Sequence, residues 1–88
     1  MDSFEIVFQP SVHKDLRRLP KTAIARVMAR IESLAADPLP PRVVKLSDAE
    51  RLYRIRVGEY RIVYEVDTEA RLVTIHYVRH RRDVYRAI

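Results

Sequence analysis

Positions 79 to 86 read Arg79-His80-Arg81-Arg82-Asp83-Val84-Tyr85-Arg86, four arginines, one histidine and one tyrosine against a single acid. A guanidinium offers forked donors that fit phosphate oxygens two at a time, and it keeps its charge at neutral pH. Histidine and tyrosine can hold or move protons. The segment therefore has the parts to grip an anion and two side chains able to do acid–base chemistry on it. A basic run alone is more often solvated, or binds nucleic acid without cutting it, so its place in the fold has to decide.

A second arginine pattern lies upstream, in Tyr53-Arg54-Ile55-Arg56-Val57. On a strand, Tyr53, Ile55 and Val57 point to one face and Arg54 and Arg56 to the other. Gly58-Glu59 fits a two-residue turn. In a simple hairpin register Arg61 then joins Arg54 and Arg56, with Tyr60, Ile62 and Tyr64 on the core side. Like charges on neighbouring strand positions repel, an arrangement easier to understand if an anion lies between them. The alternative is a solvated outer face on which Glu59 and Glu65 partly neutralise the arginines.

Several elements must position these groups. Phe4, Ile6 and Phe8 alternate as in a half-buried strand that Pro10 ends. Ser11 is placed to cap a short helix carrying Val12, Leu16 and Leu19 up to Pro20. Ile24, Val27, Met28, Ile31 and Leu34 form one apolar stripe, which predicts a second helix over about residues 22–35. Asp37-Pro38-Leu39-Pro40-Pro41 cannot continue it. Strand patterns follow at Val43–Leu46, Leu52–Val57, Tyr60–Val66 and Leu72–Arg79, with Asp67–Arg71 as a longer turn. The order reads as an α+β fold, two helices on one face of a mainly antiparallel sheet, with the other face left for function.

The 88 residues suit a single domain, 1–88, and 48% apolar against 33% charged residues allow a modest core. The 17 Lys and Arg exceed the 12 Asp and Glu, and 14 of those cations are Arg. That bias favours a phosphate-bearing partner, although a GC-rich genome would also replace Lys by Arg. The excess sits in residues 51–88, with 9 basic and 5 acidic residues. With no Cys there is no disulfide framework and no thiolate metal site, which fits a reducing compartment. The N-terminus resembles neither a signal peptide nor a membrane span, so the cytoplasm is the simplest placement. His76 and His80 would lie on the same side of a strand about 13 Å apart, too far to share a metal, and His13 reads as a surface group. No metal and no cofactor are expected.

Taken together, Leu52–Val66 and Val78–Arg86 resemble the RelE branch of the RelE/ParE superfamily of bacterial and archaeal toxins, and the likeness extends over the whole chain. The resemblance implies a RelE-like βααβββ fold with a four-stranded sheet. It also implies a metal-independent endoribonuclease that acts on messenger RNA in the ribosomal A site and is held inactive by a cognate antitoxin. By that resemblance the catalytic set is Arg54, Arg56, Arg61, His80, Arg81 and Tyr85. Arg54, Arg56, Arg79, Arg82 and Arg86 would bind RNA.

Metal-free RNA cleavage uses the 2′-hydroxyl as an internal nucleophile on the adjacent phosphate. A base takes its proton, cations hold the charge that builds on a phosphorane-like transition state, and an acid protonates the departing 5′-oxygen. Arginine suits the second task and is a poor base. That leaves His80 and Tyr85 as proton carriers, unless Tyr85 only stacks on a base or orients the phosphate. Two other classes fit the same residues: a ParE-type inhibitor of DNA gyrase, and an RNA-binding module without catalysis.

Overall fold

The Gly58-Glu59 turn organises the sheet. Val57 pairs with Tyr60 across it, and of the two turn residues only Gly58 has positive φ, at 58°. That is the pattern of a type II′ turn, whose twist matches that of the strands it joins. In this computed structural model, which describes residues 3–46 and 51–82, the hairpin strands run Leu52–Val57 and Tyr60–Asp67.

In chain order the elements are β1 (Glu5–Phe8), α1 (Pro10–Arg17), α2 (Lys21–Ser33), β2 (Val44–Lys45), β3 (Leu52–Val57), β4 (Tyr60–Asp67) and β5 (Leu72–His80). The sheet order is β1-β5-β4-β3-β2. All neighbours are antiparallel except β1, which lies parallel to β5. The α+β class and the helix layer agree with the sequence; among the described residues the sheet has five strands, matching the five strand patterns and one more than the four-stranded sheet the resemblance implies. The fifth is β2, two residues paired only with Tyr53 and Arg54. Pro40, Pro41 and the left-handed φ of 73° at Arg42 keep it from starting sooner.

The helices cover one face of the sheet. Val12 from α1 and Val27 and Ile31 from α2, with Leu34 at its end, pack on Ile55, Ile62, Tyr64, Val66, Val73, Ile75 and Val78, all buried. Tyr64 also donates its hydroxyl to the carbonyl of Pro38 at 2.7 Å, fixing the proline segment that leaves α2. Ser11 does not cap α1: Gln9 holds the N-cap position and Pro10 begins the helix, where its missing amide costs nothing. The Ser11 hydroxyl instead donates to the carbonyl of His76 at 3.4 Å.

Beyond Ile75 the free edge of β5 is served by α1, because β1 stops at Phe8. Asp15, buried on α1, accepts the amide of Val78 on Oδ2 at 3.0 Å. Among the described residues no helix is long and apolar enough to cross a membrane.

Candidate anion-binding face

A one-residue bulge decides which side chains of β5 meet the arginines. Val63 pairs with Tyr77 while Tyr64 pairs with Ile75, which leaves His76 as the extra residue. The bulge reverses the alternation of β5. Val73 and Ile75 face the helices before it and Val78 after it, while Tyr77 and Arg79 turn to the opposite face.

That face carries two rows across three strands. Arg56 lies opposite Arg61, which lies opposite Arg79; Arg54 lies opposite Val63, which lies opposite Tyr77. Strand spacing makes each row about 10 Å wide. Arg56 donates through Nε to the Gly58 carbonyl at 3.1 Å, and Arg61 reaches the carbonyls of Gly58 and Tyr60 at 3.5 and 3.3 Å. Arg61 is only 8% exposed. These backbone contacts hold the two guanidinium groups beside the turn before any ligand arrives.

The face is not a simply solvated one. Val63 stands in its middle, outside the helix-side core, paired with Arg54 on one side and Tyr77 on the other, and is 1% exposed. The guanidinium of Arg79 sits 4.5 Å from the centre of the Tyr77 ring. Burial pushes the Tyr77 phenol above its ordinary pKa, with Arg79 and Arg54 pulling the other way. Tyr77 is thus a neutral donor at physiological pH. Glu65 and Glu59, the acids expected to offset the arginines, bind His76 and His80 at 3.1 and 3.2 Å.

Of the residues singled out in the sequence, Arg54, Arg56, Arg61 and Arg79 come together on this face. Arg81 follows the end of β5, exposed, its amide donating to the Glu59 carbonyl at 2.8 Å. Arg82 is also exposed. His80 is turned to the helix side: it lies opposite Tyr60 in the sheet, meets the Tyr60 ring edge-on at 5.7 Å and borders a cavity shared with Asp15 and Arg18. Its Nδ1 accepts the Arg82 amide at 3.4 Å, which leaves Nε2 to donate to Glu59. His76 and His80, expected on one side of the strand, lie on opposite faces because the bulge falls at His76 itself. Tyr85 and Arg86 lie outside the described residues.

Tyr77 was missed by sequence reasoning, since unbroken alternation puts it with Val73 and Ile75. One signal could have found it. The apolar spacing along β5 runs Val73, Ile75, Val78, stepping from two to three. Among the described residues no three His, Cys, Asp or Glu side chains gather to hold a metal.

The fold and this face define a small basic α+β protein built to present arginines from a sheet. A family model described as the ParE toxin of type II toxin-antitoxin system, parDE, matches residues 6–85. The chain belongs to the RelE/ParE toxin family of type II toxin-antitoxin systems. It is 28% identical to the putative toxin RelE1 of Methanocaldococcus jannaschii over 94% of this chain and 96% of that one. It is 30% identical to toxin RelG of Mycobacterium tuberculosis, over 94% and 97%. The RelE–RelB complex from Pyrococcus horikoshii OT3 contains a chain that superposes with a TM-score of 0.80 at 28% identity, covering 90% of this chain and 96% of that one.

Proposed function

We propose that this toxin is a metal-independent endoribonuclease that cuts messenger RNA in the ribosomal A site in the cytoplasm, and that a cognate antitoxin holds it inactive. The observation that carries the reading is the set Arg54, Arg56, Arg61 and Arg79, drawn from three strands onto one face. Guanidinium groups fixed in advance stabilise the charge that develops on a phosphate under attack by the neighbouring 2′-hydroxyl, and cost little to reorganise. Arg61, buried and tied to backbone carbonyls, is the most pre-set of them. Arg56 lies opposite it across the hairpin with Arg54 on the same strand, and Arg81 follows the end of β5.

The arginines cannot move the protons. Tyr85, supplied by the resemblance, and His80 remain the proton carriers of this reading, and the protonated Tyr77 hydroxyl adds a neutral donor within the rows. His80 borders the row from the helix side with its proton on Nε2, so a role as base requires Nδ1 to release the Arg82 amide, or the ring proton to move to Nδ1 and Nε2 to leave Glu59. The antitoxin reading draws on relatives solved as toxin–antitoxin complexes, among them the archaeal RelE–RelB pair.

The family description names ParE, which keeps gyrase inhibition as the second reading. Inducing the chain alone, mapping messenger 5′-ends and measuring plasmid supercoiling separates the two. Codon-phased cuts lost in Arg61→Ala support the nuclease. Relaxed or broken DNA with intact messengers overturns it in favour of gyrase, and neither effect leaves a binder without catalysis.

A further inference from the structure

We infer that the RNA strand does not stop at the arginine rows but continues round the open edge of β3 into a second phosphate-binding cleft, completed by Arg30 of α2 and Arg42 of the β2 approach. The inference rests on the RNA reading of the rows. A cavity of about 600 Å³ lies there, lined by Arg30, Arg42, Arg54, Arg56 and Arg61. Among the described residues no carboxylate lines it. Three of the five arginines belong to the rows already described, so the cleft is continuous with that face; the other two come from elements that neither the strand pattern nor the resemblance singled out.

The cleft exists because β2 pairs with Tyr53 and Arg54 and goes no further. Among the described residues no strand lies beside the edge of β3 from Ile55 onward, and the space a longer β2 would fill is not taken by one. The chain diverges at Arg42, a non-glycine residue held at φ 73°, in the left-handed region that L-residues rarely adopt. Arg42 is exposed and Arg30 half-buried. Five guanidinium groups around one cavity repel each other, and a phosphodiester chain relieves that repulsion while matching their forked donors. A strand running from the rows into the cleft places one phosphate between Arg56 and Arg61, with one flanking phosphate within reach of Arg42 and the other within reach of Arg30.

The test is binding of a labelled, non-cleavable 2′-O-methyl RNA decamer to the full chain, followed by fluorescence anisotropy from about 50 to 300 mM salt. Each phosphate contact to a single strand adds about 0.7 to the salt slope. The double variant Arg30→Gln/Arg42→Gln should lower the slope by about 1.4 and weaken binding at least tenfold at the lowest salt, while a dinucleotide that fills only the rows binds both proteins alike. Circular dichroism checks the fold, and the single variant Arg42→Gln, at an exposed site, should lower the slope by about 0.7. An unchanged slope with the decamer overturns the inference. So does a variant that keeps its RNA slope but loses affinity for a glutamate decapeptide, which assigns the cleft to an acidic protein segment. Messenger 5′-end mapping with the wild-type chain is read separately: absent cuts with the slope change intact sink the nuclease reading and leave the cleft standing.

Discussion

Asp15 Oδ2 accepts the amide hydrogen of Val78 at 3.0 Å, so a side chain on the first helix completes the hydrogen bonding of the last strand. The bond sits beside the bulge that orients Tyr77 and Arg79. Removing it strands a buried N–H, a loss of about 1–3 kcal/mol. Asp15→Ala should lower the urea midpoint accordingly and speed amide exchange at Val78 more than at residues of β3. Asp15→Asn, which keeps an acceptor oxygen, should lose less. Equal stability in all three proteins would show that water serves the amide as well as Asp15 does.

Arg56 faces Arg61 directly across the hairpin. Opposed like charges oppose folding, and salt screens them. Arg56→Gln should therefore gain up to about 0.5 kcal/mol at low salt, a modest figure because Arg56 is solvent-exposed, with the gain shrinking as salt rises. Cleavage of messenger should fall about 100-fold in the same variant if its guanidinium holds transition-state charge. Denaturation at two salt concentrations and end mapping read the two effects independently. A variant both less stable and fully active refutes the pairing of these roles.

Tyr77 offers a ring braced by Arg79 and a protonated hydroxyl. Base stacking on an aromatic platform is worth about 1–3 kcal/mol. Tyr77→Ala should weaken binding of the non-cleavable RNA roughly tenfold or more, whereas Tyr77→Phe should stay within about twofold. Loss of binding in both variants would move the contribution from the ring to the hydroxyl.

Alkaline pH acts on two tyrosines. Burial raises the pKa of Tyr64 far above its ordinary value, and that of Tyr77 more modestly. Both folded values exceed the unfolded value of about 10. The stability they contribute is complete below about pH 10 and is lost as pH rises toward the folded values, because the unfolded chain gives up its protons first. The urea midpoint should drop between about pH 9.5 and 11.5, and less steeply in a Tyr64→Phe/Tyr77→Phe double variant. At neutral pH Tyr64→Phe should cost about 1 kcal/mol through the lost bond to Pro38. A flat midpoint up to pH 11.5 would count against the burial of these phenols.

The hairpin, both helices and the grouping of Arg54, Arg56 and Arg61 were legible in the sequence because each depends on local periodicity and turn chemistry. The Gly58-Glu59 turn sets the register, and register sets the face. The last strand was less legible. A bulge depends on its partner strand, so the same-side reading of His76 and His80 did not hold, and nothing in β5 alone brought Tyr77 to the arginines as the pairing with β4 does. The cleft at Arg30 and Arg42 was invisible for a related reason: it is defined by where β2 stops, and strand length at a sheet edge leaves little trace in residue type. Roles assigned to Tyr85 and Arg86 rest on the resemblance, since those positions lie outside the described residues.

The parallel pairing of β1 with β5 also bears on the order of folding. Glu5 finds its register against Leu72, so the first strand synthesised waits for the last, a long loop closure that slows assembly. Arg79 is carried by that same late strand, and Tyr77 with it. A half-made chain therefore has neither a closed sheet nor the complete arginine rows, and that face forms only once β5 has been made and paired with β4.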